Sequence, residues 1–202
     1  MKKTGLTILL ALMVTGVSAQ KDPVAVKVLT EFGNRATSAP SVKIDFEITA
    51  YDAQEDDETT MEGTAVIRGD SYRVTLPDNI IMADGKAVWN FMPDVNEVTV
   101  TEPDPADESF LSRPSLLFTM YREGYKIRLL EQTPRDWTID LYPEDLNMNL
   151  VRIRMIIDKK NHDLISAEYR TKDGITLTLT ALKYDLSFSP PAGYFTFNPA
   201  DH

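Results

Sequence analysis

The chain has 202 residues, with 21 Lys and Arg against 31 Asp and Glu, a formal net charge of -10, no cysteine, and 43% hydrophobic residues. These values describe a folded chain long enough for one sizeable core, not a disordered one. The acidic balance argues against nucleic acid and anionic lipid head groups as partners, and the missing cysteine excludes disulfides, thiolate metal sites, a cysteine nucleophile and an acylated cysteine at a mature N-terminus.

The first residues read as an address. Lys2 and Lys3 form a positive start, Leu6 to Val14 a short apolar run, and Val17-Ser18-Ala19 a small-residue cleavage site before Gln20. That is the layout of a secretory signal peptide over residues 1–19, and the run is too short to span a bilayer. The expected mature chain, residues 20–202, is one soluble, acidic, exported domain, and in a Gram-negative cell its compartment is the periplasm.

Pro23 to Thr37 is predicted helical, capped by Asp22, with Val24, Val28, Leu29 and Phe32 on one face. The period then changes to two. Val42, Ile44, Phe46, Ile48 and Ala50 alternate with polar neighbours, and Met61, Gly63, Ala65 and Ile67 form the return strand beyond an acidic tip at Gln54 to Thr60. Further short strands are predicted at Ser71 to Leu76, Asn79 to Ala83, Lys86 to Met92 and Glu97 to Thr101, with Asp84-Gly85 as a tight turn. Glu102 to Arg113 breaks the pattern with prolines and carboxylates, and Ser115 to Glu123 is predicted as a second helix that stops at Gly124. Strands resume at Tyr125 to Gln132, Trp137 to Tyr142, Asn149 to Asp158, Leu164 to Arg170 and Thr176 to Tyr184, and Phe195-Thr196-Phe197-Asn198-Pro199 closes the chain.

About eleven strands and two helical elements therefore make a mainly β protein built as an antiparallel meander. So many strands must curl, and the helices are expected to lie across the concave face. That face is expected to carry Phe46, Ile48, Ile67, Tyr72, Val74, Trp89, Phe91, Met155 and Ile157. It is either an ordinary filled core or a cavity for an apolar ligand, which curved antiparallel sheets often enclose.

The order of these features resembles the LolA family, periplasmic carriers of outer-membrane lipoproteins. The resemblance rests on the signal peptide, the short helix, the Val42 strand and the glycine-led Gly63 to Tyr72 segment. It rests further on Asp84-Gly85-Lys86 before Trp89-Asn90-Phe91-Met92-Pro93, on Val95 to Thr99, and on the closing Phe195-Thr196-Phe197-Asn198-Pro199. It implies an unclosed half-barrel covered by a helical lid, with acyl chains in an apolar cavity and no catalysis or cofactor. It also implies acylated lipoproteins, an inner-membrane ABC transporter and an outer-membrane receptor as partners of a monomeric carrier. The lid would be faced by Val28, Phe32, Leu116, Leu117 and Met120. The family's latch is an arginine ending the second strand; here Gly69 superposes there and Arg68 stands beside it as the candidate. Relatives of the same shape include a receptor that is itself a lipoprotein, which the absent cysteine disfavours, and a lipoprotein-sensing regulator.

Gly69-Asp70-Ser71-Tyr72 also resembles the nucleophile block of a serine esterase family. A hydrolase built on Ser71 needs a histidine base within hydrogen-bond reach, and His162 is the internal candidate. A hairpin turn explains the same residues. The acidic tip at Asp52 to Glu58 lacks the sixth-position glycine of a calcium loop, where Asp57 stands, and reads as solvated. Two histidines without cysteine do not suggest zinc.

Overall fold

The computed structural model describes residues 21–104 and 112–199. The expected signal peptide lies outside the described residues. Period-two alternation becomes eleven strands: β1 (Val42–Asp52), β2 (Asp57–Arg68), β3 (Ser71–Thr75), β4 (Ile80–Asp84), β5 (Val88–Met92), β6 (Glu97–Thr101), β7 (Tyr125–Gln132), β8 (Asp136–Pro143), β9 (Arg152–Asp158), β10 (Leu164–Arg170) and β11 (Ile175–Asp185). All belong to one antiparallel sheet in the order β6-β5-β4-β3-β2-β1-β11-β10-β9-β8-β7. β6 and β7 form its two edges, so the sheet is unclosed. Strand β1 pairs with β2 on one side and with β11 on the other. Register shifts interrupt the ladders at Asp45/Phe46, Leu164/Ser166 and Leu129/Glu131. Such bulges bend a strand and increase its twist.

Helix α1 (Pro23–Ser38) begins as its sequence dictates. The Asp22 carboxylate accepts from the Val24 and Ala25 N–H groups at 2.9 and 3.1 Å, and Pro23 fills the first turn. Ala25, Val28, Leu29, Phe32, Gly33 and Ala36 are buried, while Val24, expected on the same face, is exposed. The second helical element differs from expectation. It is a pair of 3-10 turns, Pro114–Phe118 and Met120–Arg122, broken at Thr119 with φ -131° and ψ -22°. So short a run is marginal as an isolated α-helix, and packing decides its form. A Cβ on Gly33 would lie 2.4 Å from the Phe118 carbonyl oxygen and 3.1 Å from the Tyr121 ring. Glycine lets this segment press directly on the α1 backbone, and the Phe32 and Phe118 rings meet at 5.4 Å.

One face of the sheet, the inner face, receives α1 and the 3-10 segment. Its core includes Ile44 and Phe46 of β1, Ile67 of β2, Ile139 and Leu141 of β8, Ile153 and Met155 of β9 and Ala167 of β10. The outer face of β1 to β5 carries a smaller cluster. There the segment after β11 crosses the sheet: the Ser41 hydroxyl donates to the Phe188 carbonyl at 2.7 Å, Arg73 lies 5.3 Å from the Tyr194 ring, and the Phe91 and Phe197 rings are 5.3 Å apart.

Gly63 illustrates how tightly the inner face is filled. It stands opposite Phe46 in the register, and a Cβ there would lie 2.7 Å from Phe46 Cζ and 2.8 Å from the Thr75 carbonyl oxygen. Gly63→Val is expected to cost about 1–3 kcal/mol by overpacking, which thermal unfolding by circular dichroism would report as a melting temperature lowered by several degrees.

Candidate functional site

Over β3 to β6 the inner face is not covered by α1. A cleft of about 720 Å³ opens there. Strand pairing fixes which side chains reach it. Ile67 stands opposite Tyr72, Tyr72 opposite Ala83, and Ala83 opposite Val88, so all four share the inner face. Tyr72, Ile81, Ala83 and Val88 line the cleft, and Asn90 and Thr101 line it towards the β6 edge. The lining thus passes from apolar to polar as it approaches that edge. Asp70, Lys86, Glu102 and Asp104 add charge around it, and Ser112, Arg113 and Ser115 wall the side towards α1. The Tyr72 hydroxyl donates to the Ser112 carbonyl at 2.8 Å and ties this wall to β3.

Behind the wall lies a second cavity of about 230 Å³, lined by Ala36, Val42, Ile67, Leu116 and Phe118 among others. Arg113 and Ser115 line both spaces. Moving the 3-10 segment outward would join them into one continuous trough of mixed apolar and polar lining.

A histidine–carboxylate contact and an ion pair hold the far end of α1 to the turn between β9 and β10. The His162 Nε2 is 2.7 Å from the Glu31 carboxylate, and the Arg35 guanidinium donates to Asp163 at 3.3 Å. The His162 ring also lies 5.1 Å from Trp137. Burial pushes the Asp163 carboxyl above its ordinary value, and the Arg35 charge and hydrogen bond only partly oppose this. Glu31→Ala removes one clasp of a partly exposed pair, so the expected stability change is below about 1 kcal/mol. Amide hydrogen exchange in the second half of α1 is nevertheless expected to speed up, because the helix end loses a tether.

The residues expected from the sequence separate into three groups. Phe46, Ile67, Tyr72, Met155 and Ile157 are buried on the inner face, with Ile48 and Val74 half-buried beside them. Of these only Tyr72 lines the large cleft. Trp89 and Phe91, expected on the same face, are on the opposite one. Their register partners are Met82 and Ile80, one residue out of phase with Ala83 and Val88, and Phe91 packs on Phe197. The alternation correctly paired Trp89 with Phe91 but could not say which face the helix covers. Among lid candidates, Val28, Phe32, Leu117 and Met120 are buried in the inner core, and Leu116 is half-buried against the smaller cavity. Arg68 does not clasp the helix: its guanidinium lies 4.8 Å from the Phe195 ring, held by the C-terminal segment on the outer side. The clasps at Glu31 and Arg35 were not foreseen; an acid and a base on one helix, with a histidine-aspartate turn far along the chain, carry no local signal. Ile81, Ala83, Val88, Asn90 and Thr101 were also missed, because they share the phase opposite the aromatic pair Trp89 and Phe91.

The esterase pairing is not formed. Ser71 opens β3 opposite Arg68 and Asp84, while His162 sits in the turn between β9 and β10 against Glu31 and Trp137. Gly69, at φ 56°, makes the Arg68 to Ser71 hairpin turn. At the acidic tip, the Asp56 carboxylate accepts from the Tyr51 hydroxyl and Asp52 from the Gln54 N–H.

A family model described as outer membrane lipoprotein carrier protein LolA matches residues 17–171. No curated protein matches the chain by sequence. Among solved structures, an uncharacterized conserved protein from Thermus thermophilus superposes with a TM-score of 0.54 at 12% identity, covering 88% of this chain and 96% of that one. The LolA superfamily protein NE2245 from Nitrosomonas europaea gives 0.46 at 14% identity, with coverage of 86% and 97%. The MucA/MucB complex of Pseudomonas aeruginosa gives 0.46 at 12% identity, with coverage of 84% and 61%. The Thermus protein carries the likeness of fold.

Proposed function

Because the chain belongs to the family of outer membrane lipoprotein carrier proteins, LolA, matched over residues 17–171, we propose that it is a periplasmic carrier of acylated proteins. In this reading it receives a lipoprotein from an inner-membrane ABC transporter, shields the acyl chains in the inner-face cleft, and yields them to a receptor or acceptor at the outer membrane. No bond is made or broken.

The observation that supports it best is the uneven cover of the inner face. α1 and the 3-10 segment fill one half, and the other half keeps an apolar-floored cleft of about 720 Å³, within the range of ligand sites. Burying about ten methylenes there contributes about 8 kcal/mol, which corresponds to micromolar retention. That is tight enough to hold a chain away from water and weak enough to release it to a better acceptor.

Mixing the mature protein with an acylated lipoprotein, beside its non-acylated form, tests the reading by native mass spectrometry. The expected result is a one-to-one complex with the acylated form only. Equal binding of the two forms, or none, would remove the acyl cleft from the explanation.

A further inference from the structure

The two edges of the sheet are protected unequally. β7 carries Lys126, Arg128 and Glu131 among its exposed residues, is bulged at Leu129/Glu131, and has one edge carbonyl, that of Ile127, taken by the Asp22 N–H at 3.0 Å. Charge, bulges and local capping are the usual means of closing a sheet edge to further pairing. β6 has no bulge, no backbone cap among the described residues, and a single charged residue, Glu97, at its start. Its sequence, Glu97-Val98-Thr99-Val100-Thr101, is β-branched after the first residue, all five residues are exposed, and its ladder to β5 is unshifted. Among the described residues no strand lies beyond it. It offers about 17 Å of backbone with alternate N–H and C=O groups facing outward.

The edge leads into the cleft. Thr101, Glu102, Pro103 and Asp104 continue from β6 and line the cleft. A polypeptide whose acyl group lies over Val88 and Ala83 therefore leaves the protein alongside β6. Every charged side chain from Asp94 to Asp104 is a carboxylate: Asp94, Glu97, Glu102 and Asp104. A second copy of this chain pairing antiparallel on β6 would bring these carboxylates against their own kind, which is unfavourable. A segment bearing lysine or arginine meets them with complementary charge.

We propose that β6 is a docking edge where the extended, basic segment next to the acyl group of a cargo protein adds as a further strand of the sheet. The inference rests on the carrier reading for its partner, but not for the edge itself. Backbone hydrogen bonding supplies sequence tolerance, as in other strand-addition sites, while the acidic border selects charge.

The test uses the mature protein with a peptide of about ten residues that alternates lysine and valine, in palmitoylated and unacylated forms. A matched peptide alternates glutamate and valine, and palmitate alone completes the set. The readouts are affinity and amide hydrogen exchange across residues 97–101. The palmitoylated basic peptide is expected to slow exchange there about ten-fold or more and to bind about three- to ten-fold tighter than its acidic counterpart. Palmitate alone is expected to bind without protecting residues 97–101. Asp94→Lys with Glu97→Lys is expected to erase the preference for the basic peptide. Protection by the unacylated basic peptide at high concentration supports the edge even if palmitate fails to bind, an outcome that would sink the carrier reading alone. Palmitate binding with residues 97–101 unprotected by every peptide would overturn the proposal and leave the carrier reading standing. So would protection at β7 instead, or protection that appears with protein concentration alone.

Discussion

Replacing Asp140 with alanine is expected to cost about 3–5 kcal/mol of folding stability, a fall in melting temperature of roughly 6–20 °C for a chain of this size. Asp140 lies on β8 and is fully buried. Its two carboxylate oxygens accept from Arg154 Nε at 2.7 Å and Nη2 at 2.9 Å, and the Tyr142 hydroxyl donates to it at 2.9 Å. Arg152 adds a charge at 3.8 Å and also pairs with Glu168 at 2.7 Å. The Arg152 Nη1 is itself buried and makes no hydrogen bond, so the Asp140 charge is its chief compensation. Alanine would leave two guanidinium groups side by side on β9, with the Glu168 carboxylate of β10 beside them. Removing one member of a buried charge cluster costs far more than the intact cluster contributes.

The same site sets a pH dependence. Burial pushes the Asp140 carboxyl up, but the hydrogen bonds from Arg154 and Tyr142 and the nearby positive charges outweigh it, and the net shift is below the ordinary carboxylate value. A lowered folded pKa means stability that is fully present above the ordinary aspartate value, near 3.9, and lost as pH falls through the folded value. Denaturant titrations at pH 7 and near pH 3 should therefore show a smaller acid-induced loss for Asp140→Asn than for the unaltered protein. Equal losses would mean that other carboxylates dominate the acid limb.

Val88→Glu is expected to weaken binding of an acylated protein by about 30- to 100-fold, some 2–3 kcal/mol, with little effect on folding. Val88 is half-buried and lines the cleft between its register partners Ala83 and Thr101. In the open cleft a carboxylate there remains hydrated. An acyl chain that enters must strip that water or stop short of β5, and either cost is borne only in the complex. Leu182→Glu, at a β11 position already 57% exposed, is the matched control and is expected to bind normally. Titration followed by native mass spectrometry distinguishes the two. Trp89→Ala adds a further arm: Trp89 lies one residue away but on the outer face, so loss of binding there with retention in Val88→Glu would move the acyl site to the wrong side of the sheet.

The strands were legible because antiparallel strands with one buried face alternate strictly, and the turns at Asp84-Gly85 and Asp173-Gly174 are spelled in residues that tolerate positive φ; Gly85 and Gly174 have φ 88° and 99°. The face of Trp89 and Phe91 was not legible, because alternation groups residues without saying what covers each group. Here apolar groups pack on both faces: α1 and its neighbours lie on the inner face of β1 and β2, and Tyr194, Phe195 and Phe197 lie on the outer face of β2 to β5. The closing Phe-Thr-Phe was visible as a motif, but its role as outer cover, and its capture of Arg68, came only with the tertiary arrangement. The second helical element failed for a related reason: its apolar spacing suits an α-helix, while the close approach of the Phe118 carbonyl to Gly33 is a property of the packed pair.

The central pairing of β1 with β11 joins the first strand of the chain to the last. Near it, the Ser41 to Phe188 bond closes a separation of 147 residues. Each flanking meander can zip locally, one hairpin at a time, but the middle of the sheet waits for the final strand to be present. Long-range pairing of this kind makes folding slow, in the range of milliseconds to seconds, and no ribosome-bound or half-translocated chain can complete it. The topology therefore also acts as a timer, keeping the apolar inner face unassembled until β11 is present to pair with β1.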